Sequence, residues 1–123
     1  MKLEQQVTSL ELSKQLKKLG FKQESAFYWY TSDGIDFTLC DGKIDYYSET
    51  PKSMLYSAFH GGELGELLPS KMWGNLYCKK MDGVGSQHLW HVGYEDSIYI
   101  GQAPTEAEAR GLIACYLKEK GLI

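Results

Sequence analysis

With 123 residues and a mass of 13.9 kDa, the chain has the size of one domain and is long enough to bury a core without metal or disulfide staples. An apolar fraction of 43% and a charged fraction of 24% exclude a chain disordered by low hydrophobicity, a collagen-like repeat and a long coiled coil. Thirteen basic against sixteen acidic residues leave a net charge of -3, and Arg110 is the single arginine, which argues against a nucleic-acid surface.

The charge is uneven along the chain. Residues 1–24 carry five lysines against three glutamates, residues 25–69 two lysines against seven acids, and residues 70–123 are balanced. The acids of the middle, Asp33, Asp36, Asp41, Asp45 and Glu49, are too sparse for a nucleic-acid mimic. Cys40, Cys78 and Cys115 form an odd, widely spaced set, so a disulfide framework is not expected. No apolar run reaches signal-peptide or membrane-spanning length, and the expected setting is the cytoplasm, with no membrane partner and with free, mostly buried thiols.

The first element is a helix. Thr8 followed by Glu11 has the form of a capping box, and Leu12, Leu16 and Leu19 recur at helical spacing behind it. Gly20 then supplies a left-handed stop, with Phe21 placed over Leu16. Lys14, Lys17 and Lys18 fall on the opposite, solvated face. From Phe27 to Thr31 the residues are strand formers, and the turn dipeptides Asp33-Gly34 and Asp41-Gly42 flank a second strand over residues 35–40. A third, over residues 43–48, completes a meander. Residues 52–59 suit either a strand or a turn of helix.

From His60 to Pro69 the pattern predicts a short helix capped by His60, with Leu64, Leu67 and Leu68 on one side. Residues 75–81 and 88–94 predict a hairpin around the glycine-rich turn of residues 82–86, and residues 97–102 a further strand. Alternation places Trp90, Val92 and Tyr94 with His88 on the core face, and Leu89, His91 and Gly93 on the other. Thr105 and Glu108 repeat the capping box ahead of Ala109, Leu112, Ile113, Tyr116 and Leu117, and Gly121 closes that helix. The order predicts a single α+β domain over residues 1–123: an antiparallel sheet of about five to six strands with an N-terminal, a short middle and a C-terminal helix, and one sheet face left partly open.

No catalytic set emerges. Cys78, His88 and His91 have zinc-ligand chemistry, but residues three apart on a strand point to opposite faces. Glu63 and Glu66 are ordinary complements to a helix dipole, and Gly61-Gly62 and Gly83-Val84-Gly85 lack the lysine of a phosphate loop. No cofactor is expected, and a general-base role for His88 or His91 is disfavoured. Nine tyrosines and three tryptophans, many on predicted strands, exceed what a small core absorbs.

Residues 8–20 (TSLELSKQLKKLG), 22–25 (KQES) and 27–29 (FYW) resemble the opening of small uncharacterised proteins encoded by bacteriophages and prophages. Residues 63–69 (ELGELLP) and 105–110 (TEAEAR), leading through Tyr116 and Leu117 to Leu122 and Ile123, match in the same order, whereas residues 32–55 and 81–88 match poorly. The resemblance carries no catalytic residues. It implies a context, an accessory gene product of a mobile element acting inside a bacterial cell.

The leading expectation is a non-enzymatic accessory protein that binds a host or defence protein through an aromatic, acidic-rimmed surface comprising Tyr28, Tyr30, Tyr46, Tyr47 and Tyr99. The alternative is a protein that binds or sequesters a small ligand or nucleotide in a pocket lined by Trp90, His91 and Tyr94. An open sheet edge makes a homodimer plausible.

Overall fold

The computed structural model describes residues 2–41, 55–82, 88–97 and 99–123. A 3-10 turn at Leu3–Gln5 precedes helix α1 (Leu10–Lys18), strands β1 (Phe27–Tyr30), β2 (Thr38–Asp41) and β3 (Leu55–Ala58), and helix α2 (Gly61–Leu67). Strands β4 (Lys71–Met72), β5 (Gly74–Asp82), β6 (His88–Tyr94) and β7 (Ile100–Ala103) lead into helix α3 (Glu106–Glu119). The class is α+β with the three expected helices, and every described strand pair is antiparallel.

The strands divide between two sheets, one ordered β2-β1-β3 and one ordered β4-β5-β6-β7. Residues 55–58 settle as a strand because they pair with β1, Phe27 opposite Ala58 and Trp29 opposite Tyr56. The strand expected over residues 43–48 and the turn at residues 83–86 lie outside the described residues. Ile35 and Asp36, expected to open the second strand, belong instead to the loop before it, in keeping with the poor strand propensity of aspartate.

The start of α1 is displaced by one residue from its predicted position. Ser9, not Thr8, is the cap, its Oγ accepting from the Leu12 N–H at 3.3 Å. Thr8 is occupied elsewhere. Its N–H donates to the Phe59 carbonyl at 2.8 Å, the Phe59 N–H donates to its hydroxyl at 3.2 Å, and that hydroxyl lies 2.7 Å from the Ser13 Oγ. Its carbonyl also accepts from the Trp29 indole N–H at 3.0 Å, and Val7 beside it bridges to His60. Ser9 is held by α3: its N–H and hydroxyl both donate to the Glu108 carboxylate. Glu108 keeps the expected bond from its own N–H to the Thr105 cap, at 3.2 Å, while its carboxylate completes the capping box of another helix.

Both long helices end as their sequences predict. Gly20, at φ 95°, and Gly121, at φ 71°, follow the last turns of α1 and α3. The next N–H closes each turn, Phe21 to Leu16 O at 3.1 Å and Leu122 to Leu117 O at 2.9 Å. The lysines of α1 are not a purely solvated face: Lys14 Nζ lies 4.7 Å from the Phe37 ring centroid and Lys17 Nζ 4.8 Å from that of Tyr56. Leu64 of α2 and Leu68 at its C-cap enter the core, whereas Leu67, three residues from Leu64 and adjacent to Leu68, is exposed.

Helix α3 is the centre of the core. Ala109, Ile113, Ala114 and Leu117 are fully buried against Leu12 and Leu16 of α1, Leu64 of α2, and Val92 and Tyr94 of β6. Gly101 permits the close approach of β7, since a Cβ there would lie 2.3 Å from the Ala109 carbonyl oxygen. The face of the larger sheet away from α3 carries Tyr77, Lys79, Met81, Leu89, His91 and Ile100, and among the described residues no helix packs on it.

Glu108→Ala leaves the Ser9 N–H without its acceptor in a part-buried position, and urea denaturation is expected to show a loss of about 1–2 kcal/mol with an unchanged m-value. Gly101→Ala forces β7 off α3 and is expected to cost about 1–3 kcal/mol in the same assay.

Candidate functional site

Two features stand out from the packed body. The first is the β1–β2 hairpin. Phe27 and Trp29 share the face of β1 turned towards α1, where Trp29 reaches Thr8, and Tyr28 and Tyr30 share the other. Tyr28 and Tyr30 are half-buried, opposite Ser57 and Leu55 of β3 and Cys40 and Thr38 of β2. The Tyr28 hydroxyl donates to the Gln23 carbonyl at 3.2 Å.

The loop joining these strands is braced by one carboxylate. Asp33 Oδ1 accepts from the Thr31 hydroxyl at 3.0 Å and from the N–H groups of Ile35 and Asp36 at 2.8 and 2.9 Å. The Gly34 N–H donates in turn to the Thr31 hydroxyl at 2.9 Å. These donors, the Asp36 and Ile35 amides first, hold the Asp33 carboxyl below the usual carboxylate range, so it stays charged. The loop presents Ile35, 80% exposed and the most exposed large apolar side chain described, flanked by the exposed Asp33 and Asp36.

The second feature is a cavity of about 540 Å³ where α2 and α3 begin. Its position follows from a gradient on the helix-covered face of the larger sheet. Along β5 the inward residues run Leu76, Cys78, Lys80, paired with Tyr94, Val92 and Trp90 of β6, so the core face turns polar at one end. There Lys80 and Trp90 line the cavity, with Gln5 and Gln6 from the N-terminal turn, His60 and Glu106. Lys80 Nζ lies 6.0 Å from the centroid of the half-buried Trp90 indole, an exposed contact worth roughly 0.5–1 kcal/mol. His60 caps α2 as expected, its Nδ1 accepting from the Gly62 and Glu63 N–H groups at 3.1 and 3.2 Å, which leaves Nε2 as the proton-bearing nitrogen of the neutral ring. Glu106 is bound by Arg110 through contacts of 3.0 and 2.9 Å to one carboxylate oxygen.

The residues expected to form one surface or one pocket are dispersed. Tyr99 lies away from Tyr28 and Tyr30, stacked on Tyr116 of α3 with centroids 4.0 Å apart. Tyr46 and Tyr47 lie outside the described residues. Of Trp90, His91 and Tyr94, Trp90 alone lines the cavity. Tyr94 is fully buried, its hydroxyl donating to the Pro69 carbonyl at 2.6 Å, and burial pushes its phenol above the usual value. His91 sits beside Lys79 and Gln102 on the opposite face of β6, as strict alternation requires. The sequence reading missed Ile35, taken for a strand residue, and Lys80, whose inward register two places beyond Cys78 was the available signal.

Among the described residues no group of three or more His, Cys, Asp or Glu is arranged to hold a metal, and no helix is long and apolar enough to cross a membrane. The three thiols are free; Cys115 is buried, and Cys40 and Cys78 are half-buried. Comparison with protein-family models, curated proteins and solved structures finds no match.

Burial first, then the nearby charges of Glu119 and Glu108, push the Cys115 thiol from 9.0 up to about 12. Below pH 9 it is protonated in both folded and unfolded chains and contributes no pH dependence. Between 9 and about 12 the unfolded chain loses that proton while the folded chain retains it, so stability falls as pH rises. Urea midpoints measured across this window are expected to fall, and Cys115→Ala to flatten the decline. At pH 8, iodoacetamide is expected to label Cys40 and Cys78 ahead of Cys115.

Proposed function

We propose that this chain is a non-enzymatic binding protein, a phage or prophage accessory protein that engages a host or defence protein through its β1–β2 hairpin. The observation that carries this reading is Ile35, almost fully exposed on a loop whose shape is set in advance by Asp33 and Thr31. A pre-shaped loop loses little entropy on binding, and an apolar anchor among carboxylates fits an apolar socket with a basic border. Tyr28 and Tyr30 extend that contact on one face of the same hairpin. The sequence resemblance supplies the cellular context.

A second reading, a protein that binds a small ligand, is favoured by Trp90, which forms part of the wall of the 540 Å³ cavity. That volume lies within the range of about 300–1,000 Å³ usual for small-molecule sites.

Replacing Ile35 by a photo-crosslinking phenylalanine analogue in bacterial cells is expected to trap a discrete protein partner. Ile35→Asp is expected to weaken the affinity of the purified partner at least tenfold with little change in thermal midpoint, while Ile100→Ala, on the larger sheet, leaves it unchanged. Equal affinity of the wild-type and Ile35→Asp proteins would sink the hairpin reading.

A further inference from the structure

We propose that the cavity beside Trp90 takes a planar heteroaromatic anion of the nucleoside monophosphate class, an inference that rests on the small-ligand reading. Lys80, Trp90 and Ala103 form one row, direct neighbours across β5, β6 and β7. On one side of that row the same face holds core residues, Leu76 with Tyr94, and Cys78 with Val92 and Gly101, and on the other side lies the Asp82–His88 pair. The Lys80–Trp90 row instead brings an ammonium and an indole together at an open cavity.

Each component of the cavity narrows the class of occupant. An apolar ligand would find little besides Trp90, Pro104 and Ala107 to cover it. A cation would meet Lys80. A bare inorganic anion would leave the indole unused. Glu106 would repel an anion if its charge were free, but Arg110 binds the same carboxylate through two nitrogens. Gln5 and Gln6 border the cavity with side chains that both donate and accept, suited to the edge of a base.

The two prominent groups work as a pair. The Lys80 ammonium lies over the Trp90 ring, 6.0 Å from its centroid. A base stacking on the indole takes that place, and the flexible lysine stem carries the charge outward to the phosphate. One ligand with a ring and an anion thus uses both groups, whereas a nucleoside or a phosphate uses one each.

Isothermal titration of the full chain with AMP, GMP, adenosine and sodium phosphate tests this. The expected result is binding of at least one mononucleotide at submillimolar concentration, more tightly than adenosine or phosphate. Lys80→Ala, at an exposed position, is expected to weaken the nucleotide at least tenfold and leave adenosine unchanged. Trp90→Phe, chosen to preserve packing, is expected to weaken both. Nucleotide affinity unchanged in both variants, phosphate binding equal to nucleotide binding, or no heat at millimolar nucleotide would each overturn the assignment. Saturation-transfer NMR with a mixture of neutral and cationic metabolites separates the two levels. Trp90-dependent binding of another class overturns the nucleotide assignment and keeps the small-ligand reading, and no binding of any class overturns both.

Discussion

Residues 7–9 are the knot on which the architecture depends. Val7 bridges to His60, Thr8 exchanges hydrogen bonds with Phe59 and accepts the Trp29 indole N–H, and Ser9 is gripped by Glu108. One short segment therefore ties the start of α1 to β1, to the β3–α2 junction and to the first turn of α3. The polar groups concerned are buried or part-buried, and each has a partner, which is the condition for placing them there at all. Without this segment the smaller sheet would be joined to the rest mainly by the packing of α1.

The knot also sets what is left over. With α1 committed to the smaller sheet and α3 to the larger, the helix-covered face of β5, β6 and β7 is filled by Leu76, Tyr94, Val92 and Gly101, and it opens where α3 begins. The hairpin tip at Ile35 is braced by its own side chains. One feature is a gap between elements and the other a projection from a single element, so they respond to different substitutions.

What was legible in the sequence was local. The glycine stops at Gly20 and Gly121, the His60 cap and the inward face of Val92 and Tyr94 depend on residues within a turn or strand of one another, and the structure has them where the spacing puts them. The cap of α1 was missed by one residue because Thr8 is claimed by Phe59, a partner 51 residues away that no local pattern reveals. The division into two sheets has the same origin, since β1 takes β3 as a neighbour across an intervening segment. Tyrosine count alone did not place the rings: Tyr94 is core, on the face its alternation predicts, and Tyr99 stacks on Tyr116. Composition counts rings, and only tertiary packing decides which of them meet water.

The bond from Ser9 to Glu108 spans 99 positions of the chain. During synthesis at about 5–20 residues per second, residue 9 waits roughly 5–20 seconds before its acceptor even exists. Until α3 is made, the leucines of α1 lack the Ala109, Ile113 and Leu117 side chains that share their core cluster. The contacts of Val7 and Thr8 with Trp29, Phe59 and His60 need no residue beyond 60, whereas the Ser9 contact closes only after residue 108 has been made.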